Sequence, residues 1–344
     1  MPARSSLRAL AVLSLIFAAR ASQAPQTAEH LNREATAALA AGKVSVAISE
    51  MEIAARRFPA NTHIQFNLGL ALVRSGRLEE AIAPLKKAAR DSSLAPEAHF
   101  LLGADYFESK EYDKAVAELS GLVHSSHSAR VLYMIEESNR RTGHVEQAET
   151  AFHELITRHP DSAWVDYLMG NAYEDQKQFD KAIGAYKQAL QKDPGIPDAD
   201  FAIGYIYWRE QDTADAREWL EKEARRSCHA LANFYLGEIA RSDRDLHQAE
   251  ARYRRALECD PSNSDAHLRL GIVLADQKRY KEAIAQLKKA VRLQPNGSSA
   301  HYHLAEVYSQ LGRIVEAKAE YKKVRQILAA KDKGVPVSGM ATRQ

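Results

Sequence analysis

Small residues recur along this chain at a nearly fixed interval, and that interval limits what the chain can become. Ala35, Gly69, Gly103, Gly170, Gly204, Gly237, Gly271 and Ala305 are spaced 33 or 34 residues apart, with one step skipped. A second series keeps the same frame without a gap: Ala47, Ala81, Ala115, Ala148, Ala182, Ala216, Ala249, Ala283 and Ala317. Self-similarity at this period marks stacked supersecondary units, none of which can bury its apolar face alone.

Within each period the apolar spacing is helical. Four residues after each alanine of the second series stands a large side chain: Met51, Leu85, Leu119, Phe152, Tyr186, Leu220, Tyr253, Leu287 and Tyr321. Three further on, most units carry another core-type residue, such as Ala54, Ala189 or Ala290, which completes an amphipathic stripe. The first helix of each unit has its own stripe, as in Leu68-Gly69-Leu72 and Met169-Gly170-Tyr173. Pro59, Pro160, Pro194, Pro261 and Pro295 end second helices. Gly42, Gly76, Gly143 and Gly312 mark turns inside units, and Lys110, Lys177 and Lys278 take that role elsewhere. Composition agrees, since 45% hydrophobic and 27% charged residues with few Gly and Pro fit neither disorder nor a many-stranded sheet. The expectation is an all-α solenoid of about nine tandem helix-turn-helix units over residues 28–331, starting near residues 28, 62, 96, 129, 163, 197, 230, 264 and 298.

Departures from the pattern mark expected weak points. In the fourth unit Glu136 replaces the small residue and Asn139 the aromatic, and the unit before it is short, ending in His124-Ser125-Ser126-His127-Ser128. Loose packing and a hinge near residues 123–140 are expected there. Pro84 should kink its helix, and Glu223 in the short sixth unit is a further irregularity. No separate capping helix follows the last unit, so Ile327 and Leu328 are expected to be partly exposed ahead of a disordered tail over residues 332–344. Self-association through this last repeat is an expected consequence.

The residues Tyr167-Leu168-Met169-Gly170-Asn171-Ala172-Tyr173, with Ala182, Tyr186, Ala189 and Pro194, resemble the tetratricopeptide repeat family. The resemblance implies a right-handed superhelix whose first helices line a concave groove for extended peptides or partner helices. On that reading Phe66, Phe100, Tyr133, Tyr167, Phe201, Phe234 and Tyr302 occupy one groove position in successive units, interrupted by Leu268. Asn67, Arg74, Arg140, Asn171, Tyr205, Trp208 and Arg241 add polar, cationic and further aromatic groups. Packing against the next unit is the competing role for each ring. Some members of the family hold a chaperone's C-terminal carboxylate with Lys, Arg and Asn. Here Asn67 and Arg74 offer fragments of that set, but Glu97, Phe100 and Leu101 follow.

The implied function is a scaffold for an unidentified protein or peptide partner, in envelope-associated complexes by analogy with exported repeat proteins. The alternative is a glycan-binding groove assisting polysaccharide export or assembly. No enzymatic activity, cofactor or metal is expected. The repeats fill nearly the whole chain, no phosphate loop or nucleophile elbow occurs, and His301 and His303 point to different faces of their helix.

Arg4 and Arg8 before an apolar stretch from Ala9 to Ala19, then Ala19-Arg20-Ala21, read as a signal peptide over residues 1–21. This places the chain in the periplasm or outside the cell, with an uncleaved N-terminal anchor as the alternative and no integral span after cleavage. Loss of three arginines with the signal leaves the remainder close to neutral, which argues against capture of nucleic acid or anionic lipid. An oxidising compartment would permit a bridge between Cys228 and Cys259. Their placement argues against one: both fall near the ends of equivalent helices in neighbouring units, whose axes should lie about 8–10 Å apart.

Overall fold

The computed structural model describes residues 27–332, so the expected signal peptide and the tail beyond Asp332 lie outside the described residues. Eighteen α-helices follow one another, and no strand occurs among the described residues. They form nine consecutive pairs: α1 (Ala28–Ala40) with α2 (Val44–Arg57), α3 (Thr62–Arg74) with α4 (Leu78–Ala88), α5 (Ala95–Glu108) with α6 (Tyr112–Leu119), α7 (Ser128–Thr142) with α8 (Val145–Arg158), α9 (Ala163–Asp175) with α10 (Phe179–Lys192), α11 (Ala199–Arg209) with α12 (Thr213–Arg226), α13 (Ala230–Ser242) with α14 (Leu246–Cys259), α15 (Ser264–Asp276) with α16 (Tyr280–Leu293), and α17 (Ser298–Gln310) with α18 (Ile314–Asp332). The pairs fall into two compact units, the first running through Trp164 and the second from Val165 onward. In each unit a helix packs on its partner and on the first helix of the next pair.

Short-range chemistry sets the ends of these helices. Asn61 and Asn263 cap α3 and α15 by accepting the Ile64 and Ala266 N–H groups at 3.1 and 2.9 Å, and Asp245 caps α14 through Gln248 N–H. The turn inside every pair holds one residue in the left-handed region: Gly42, Gly76, Lys110, Gly143, Lys177, Gln211, Arg244, Lys278 and Gly312. Glycine enters that region freely, while the other side chains cost energy there.

The small residues of the first series let paired helices touch. A Cβ built on Gly103 would lie 2.4 Å from the Leu119 side chain, and one on Gly170 would lie 2.5 Å from the Tyr186 ring. Leu119 and Tyr186 are fully buried, as are the alanines Ala115 and Ala182 beside them. The large residue thus fills the space that the missing side chain leaves.

The fourth pair corrects an expectation. Residues 131–139 of α7 form an unbroken buried run, so this helix is closely covered rather than loosely packed. Asn139 donates to the Ile135 carbonyl at 2.9 Å, and the neighbouring Glu137 pairs with Arg140 and, at 2.6 Å, with Arg141, whereas Glu136 keeps one oxygen without a hydrogen bond. The short preceding pair ends α6 in a single 3₁₀ turn, Ser120–Leu122. Helix α4 continues through Pro84, whose ring is buried. Glu223 is buried in a slot that Ala, Leu or Val fills in the other pairs, held by Arg226 and by Ser227 Oγ at 2.7 Å.

At the far end, α18 is 19 residues long against 14 for α16. Its extra turn buries Ile327 and Ala330, so Ile327 is covered, contrary to expectation, while Leu328 is 47% exposed.

Cys228 and Cys259 are bridged, with Cα atoms 5.4 Å apart, which overturns the separation inferred from the repeat frame. The frame failed because the two are not equivalent. Cys259 is the last residue of α14, but α12 ends at Arg226, and Ser227 is extended, carrying Cys228 away from the helix axis. The bridge therefore closes across the whole seventh pair.

Candidate functional site

The residues expected to line a binding face are placed unequally. In the first unit, Phe100 and Tyr133 are buried: Phe100 stacks on His127 with ring centroids 4.2 Å apart, and Tyr133 stacks on Trp164 at 4.4 Å. Phe66 is half-buried against the core of the first two pairs, and Asn67 donates to Asn32 Oδ1 at 2.7 Å. Arg74 is exposed, and Arg140 is drawn to Glu136 and Glu137. In the second unit Tyr167 is buried, and Asn171 accepts the Tyr186 hydroxyl at 2.7 Å, so both serve packing inside the fifth pair. Tyr302 is 43% exposed, close to Tyr321 and His303.

Four rings converge in the second unit. Phe201, Tyr205 and Trp208 stand four and three residues apart on α11, on one helical face. Their planes are nearly parallel, with centroids 5.9 Å from Phe201 to Tyr205 at 15° and 6.0 Å from Tyr205 to Trp208 at 16°. Tyr235, from the neighbouring first helix α13, leans on this row at 5.0 Å from Tyr205 and 4.6 Å from Trp208. Burial, and then the adjacent Tyr205, push the Tyr235 phenol up to about 12, so it stays a neutral hydrogen-bonding group. All four are half-buried, presenting ring area to solvent on a rigid base. Phe234 sits edge-on to Tyr235 at 5.3 Å and packs into the core below. The Arg209 guanidinium lies over Phe179 and Tyr205 at 4.7 and 5.7 Å.

Beside these rings lies a buried carboxylate. Glu238 accepts the Tyr253 hydroxyl and pairs with Arg241 at 3.3 Å and Arg269 at 3.2 Å. Two guanidiniums thus share one carboxylate at the edge of the aromatic row. The sequence reading found Phe201, Tyr205, Trp208, Phe234 and Arg241 but missed Tyr235, Glu238 and Arg269. Tyr235 and Arg269 stand one residue after the tracked aromatic position, as Asn67 does in the second pair, but their residue types change from pair to pair and give no regular series.

Several histidines have structural partners. The residue before the aromatic position is polar in most pairs, and in three it ties the pair to the loop before it: Gln65 donates to the Pro59 carbonyl, His267 to that of Pro261 and His301 to that of Pro295, at 3.1–3.2 Å. His301 Nδ1 also meets Glu320 at 2.6 Å, which raises its pKa. His303 instead turns to Glu306. Among the described residues no group of three or more His, Cys, Asp or Glu is placed to hold a metal ion. A recess of about 500 Å³ lies away from the rings, between Leu268, Gln294, Ile327 and Leu328.

Comparison with known proteins matches this geometry to one family. A tetratricopeptide repeat model matches residues 32–96, 138–195, 167–228 and 230–298, and a second one matches 274–330. Superkiller complex protein 3 of Mus musculus is 29% identical over 132 residues, and that of Homo sapiens 26% over 134. These stretches are 36% and 37% of this chain but only 8% and 9% of those proteins. Among solved structures, the Cut9–Hcn1 hetero-tetramer of APC/C shares the fold with a TM-score of 0.60 at 18% identity, covering 81% of this chain and 56% of that one. MamA is 26% identical over 48% of this chain and 96% of its own, with a TM-score of 0.45. With repeat models matching most of its length and helix pairs throughout its described residues, the chain belongs to the tetratricopeptide repeat family.

Proposed function

We propose that this protein is an interaction scaffold that holds a partner protein or peptide against the first-helix face of its second unit, in the cell envelope or outside the cell. The observation that carries this reading is the row Phe201, Tyr205 and Trp208 with Tyr235, four half-buried rings anchored from two adjacent helices. Fixed aromatic area of this kind loses little side-chain entropy on binding and supplies the anchors of protein interfaces. Arg209, Arg241 and Arg269 at its margin supply polar contacts at the rim. The bridge between Cys228 and Cys259 supports an oxidising compartment, in keeping with the N-terminal export pattern.

The test is recovery of partners from an envelope fraction by the wild-type chain and by a Tyr205→Ala/Trp208→Ala variant of equal thermal stability. Loss of a specific partner is expected, and identical recovery would remove the aromatic row from the binding face. Alkylation before and after reduction, read by mass, checks the compartment: both thiols should be protected in protein taken from its native location.

The near-parallel planes of the three α11 rings also favour a second reading, in which they stack on sugar rings of a glycan. Binding to an oligosaccharide panel that vanishes with Trp208→Ala, without any protein partner, would select it.

A further inference from the structure

The chain is nearly neutral overall, but its charge is unevenly distributed. Residues 280–332 hold ten Lys and Arg against five Asp and Glu. The excess lies on the second helices of the last two pairs, where Lys281, Lys288, Lys289 and Arg292 of α16 and Lys318, Lys322, Lys323 and Arg325 of α18 are all exposed. Lys288 and Lys322, and likewise Lys289 and Lys323, occupy equivalent positions 34 residues apart, so the two helices present their cations in the same direction.

The acids of these helices are engaged elsewhere. Glu282 is held by Arg279 and Arg254, Glu316 by Arg313, and Glu320 by His301. Lys288 acts on Glu316 only as a more distant charge. None of the eight cations has a carboxylate within ion-pair distance among the described residues. Exposed apolar side chains flank them: Val315 at 81%, Ile314 at 51% and Leu293 at 44% exposure.

We infer that this second-helix face is a contact surface for an anionic lipid bilayer. Six of the eight cations are lysines, which act as flexible point charges suited to a diffuse field of headgroups rather than to the fixed bidentate geometry of one carboxylate or phosphate. The face lacks the ring cluster that marks the α11–α13 site, and its isolated Val315, Ile314 and Leu293 are of a kind that enters the headgroup boundary beside lysines. Each cation near such a surface adds to the attraction, so a cluster of this size suffices for reversible attachment at low salt. The inference is independent of the aromatic site, which lies on first helices.

The test is sedimentation of the chain lacking residues 1–21, which keeps every described helix, with vesicles of phosphatidylglycerol and phosphatidylcholine mixed, or of phosphatidylcholine alone. Binding to the anionic vesicles is expected at about 0.05 M salt, with loss as screening shortens the reach of the charges toward 1 M. Lys288→Glu/Lys289→Glu/Lys322→Glu/Lys323→Glu should lower partitioning at least about tenfold, with unchanged thermal stability. The control Lys86→Glu/Lys87→Glu, at equivalent positions of the second pair, should bind as the parent does. The inference is overturned by absence of binding to anionic vesicles, by equal binding to neutral ones, by undiminished binding of the four-fold variant, or by equal loss in the control.

Discussion

At Gly170 a single added methyl group would meet the Tyr186 ring at 2.5 Å, and Tyr186 cannot retreat because it is fully buried and its hydroxyl is held by Asn171. Gly170→Ala is therefore expected to destabilise the protein by about 1–3 kcal/mol, read as a lower midpoint in denaturant. Two carboxyls in the first unit carry the opposite kind of misfit. Asp105 is buried with both oxygens unpartnered, and Glu136 is buried with one. Burial raises Asp105 to about 6 and Glu136 to about 7, with nearby Glu111 and Glu137 adding to the shifts. A raised carboxyl favours the fold while protonated. That contribution is complete below about pH 4 and lost as pH climbs through 6 and 7. Glu136→Gln should leave stability at pH 4.5 nearly unchanged and raise it at pH 8 by about 1–3 kcal/mol, which urea titrations at the two pH values would reveal. The sequence made the placement of Gly170 legible, because close helix contact demands a small residue at that register. It marked Glu136 as irregular but pointed to loosening, since burial depends on neighbours drawn from other pairs.

At the scale of helix and turn, the left-handed residue in each pair connects chain chemistry to architecture. Four of the nine positions are glycine, and Lys110, Lys177, Gln211, Arg244 and Lys278 adopt the same conformation with φ between 58° and 65°. Gln211→Gly should relieve about 1 kcal/mol of backbone cost and raise the melting temperature, read by thermal unfolding. The turns with Gly, and those with Lys at 110, 177 and 278, were readable from the repeat frame; Gln211 and Arg244 fall on the same frame between Lys177 and Lys278, and only the frame, not their residue type, marks them. The polar residue that ties three of the first helices to the preceding loop was hidden. It changes identity among Gln65, His267 and His301, although each donates to the carbonyl of a proline six residues earlier. At the last of these, His301→Ala should cost more stability at pH 5.5 than at pH 9. The imidazole is raised by Glu320, so its contribution is present below its ordinary pKa and fades as pH rises past the raised one.

Across the whole chain the period of the small residues was enough to give the fold class, since only stacked helix pairs satisfy two apolar stripes at that spacing. The binding face was legible only in part. One ring per repeat could be tracked, but Phe100 is covered by His127 just ahead of the following pair, Tyr133 by Trp164 in the following pair, and Tyr167 lies against Tyr186 of its own, while Tyr235 completes the cluster from the neighbouring position. The basic face was masked by a balanced total, because acids and bases distant in the chain cancel on paper and not in space. The covalent link from Cys228 to Cys259 has a mechanical consequence as well. In a linear array, tension applied to the two ends peels elements away one after another, and every released residue lengthens the tether by up to about 3.6 Å. The 31-residue span between the sulfurs is withheld from that extension. Single-molecule pulling should thus give a final length roughly 100 Å shorter than in the presence of a reductant, with the missing increment belonging to the seventh pair alone.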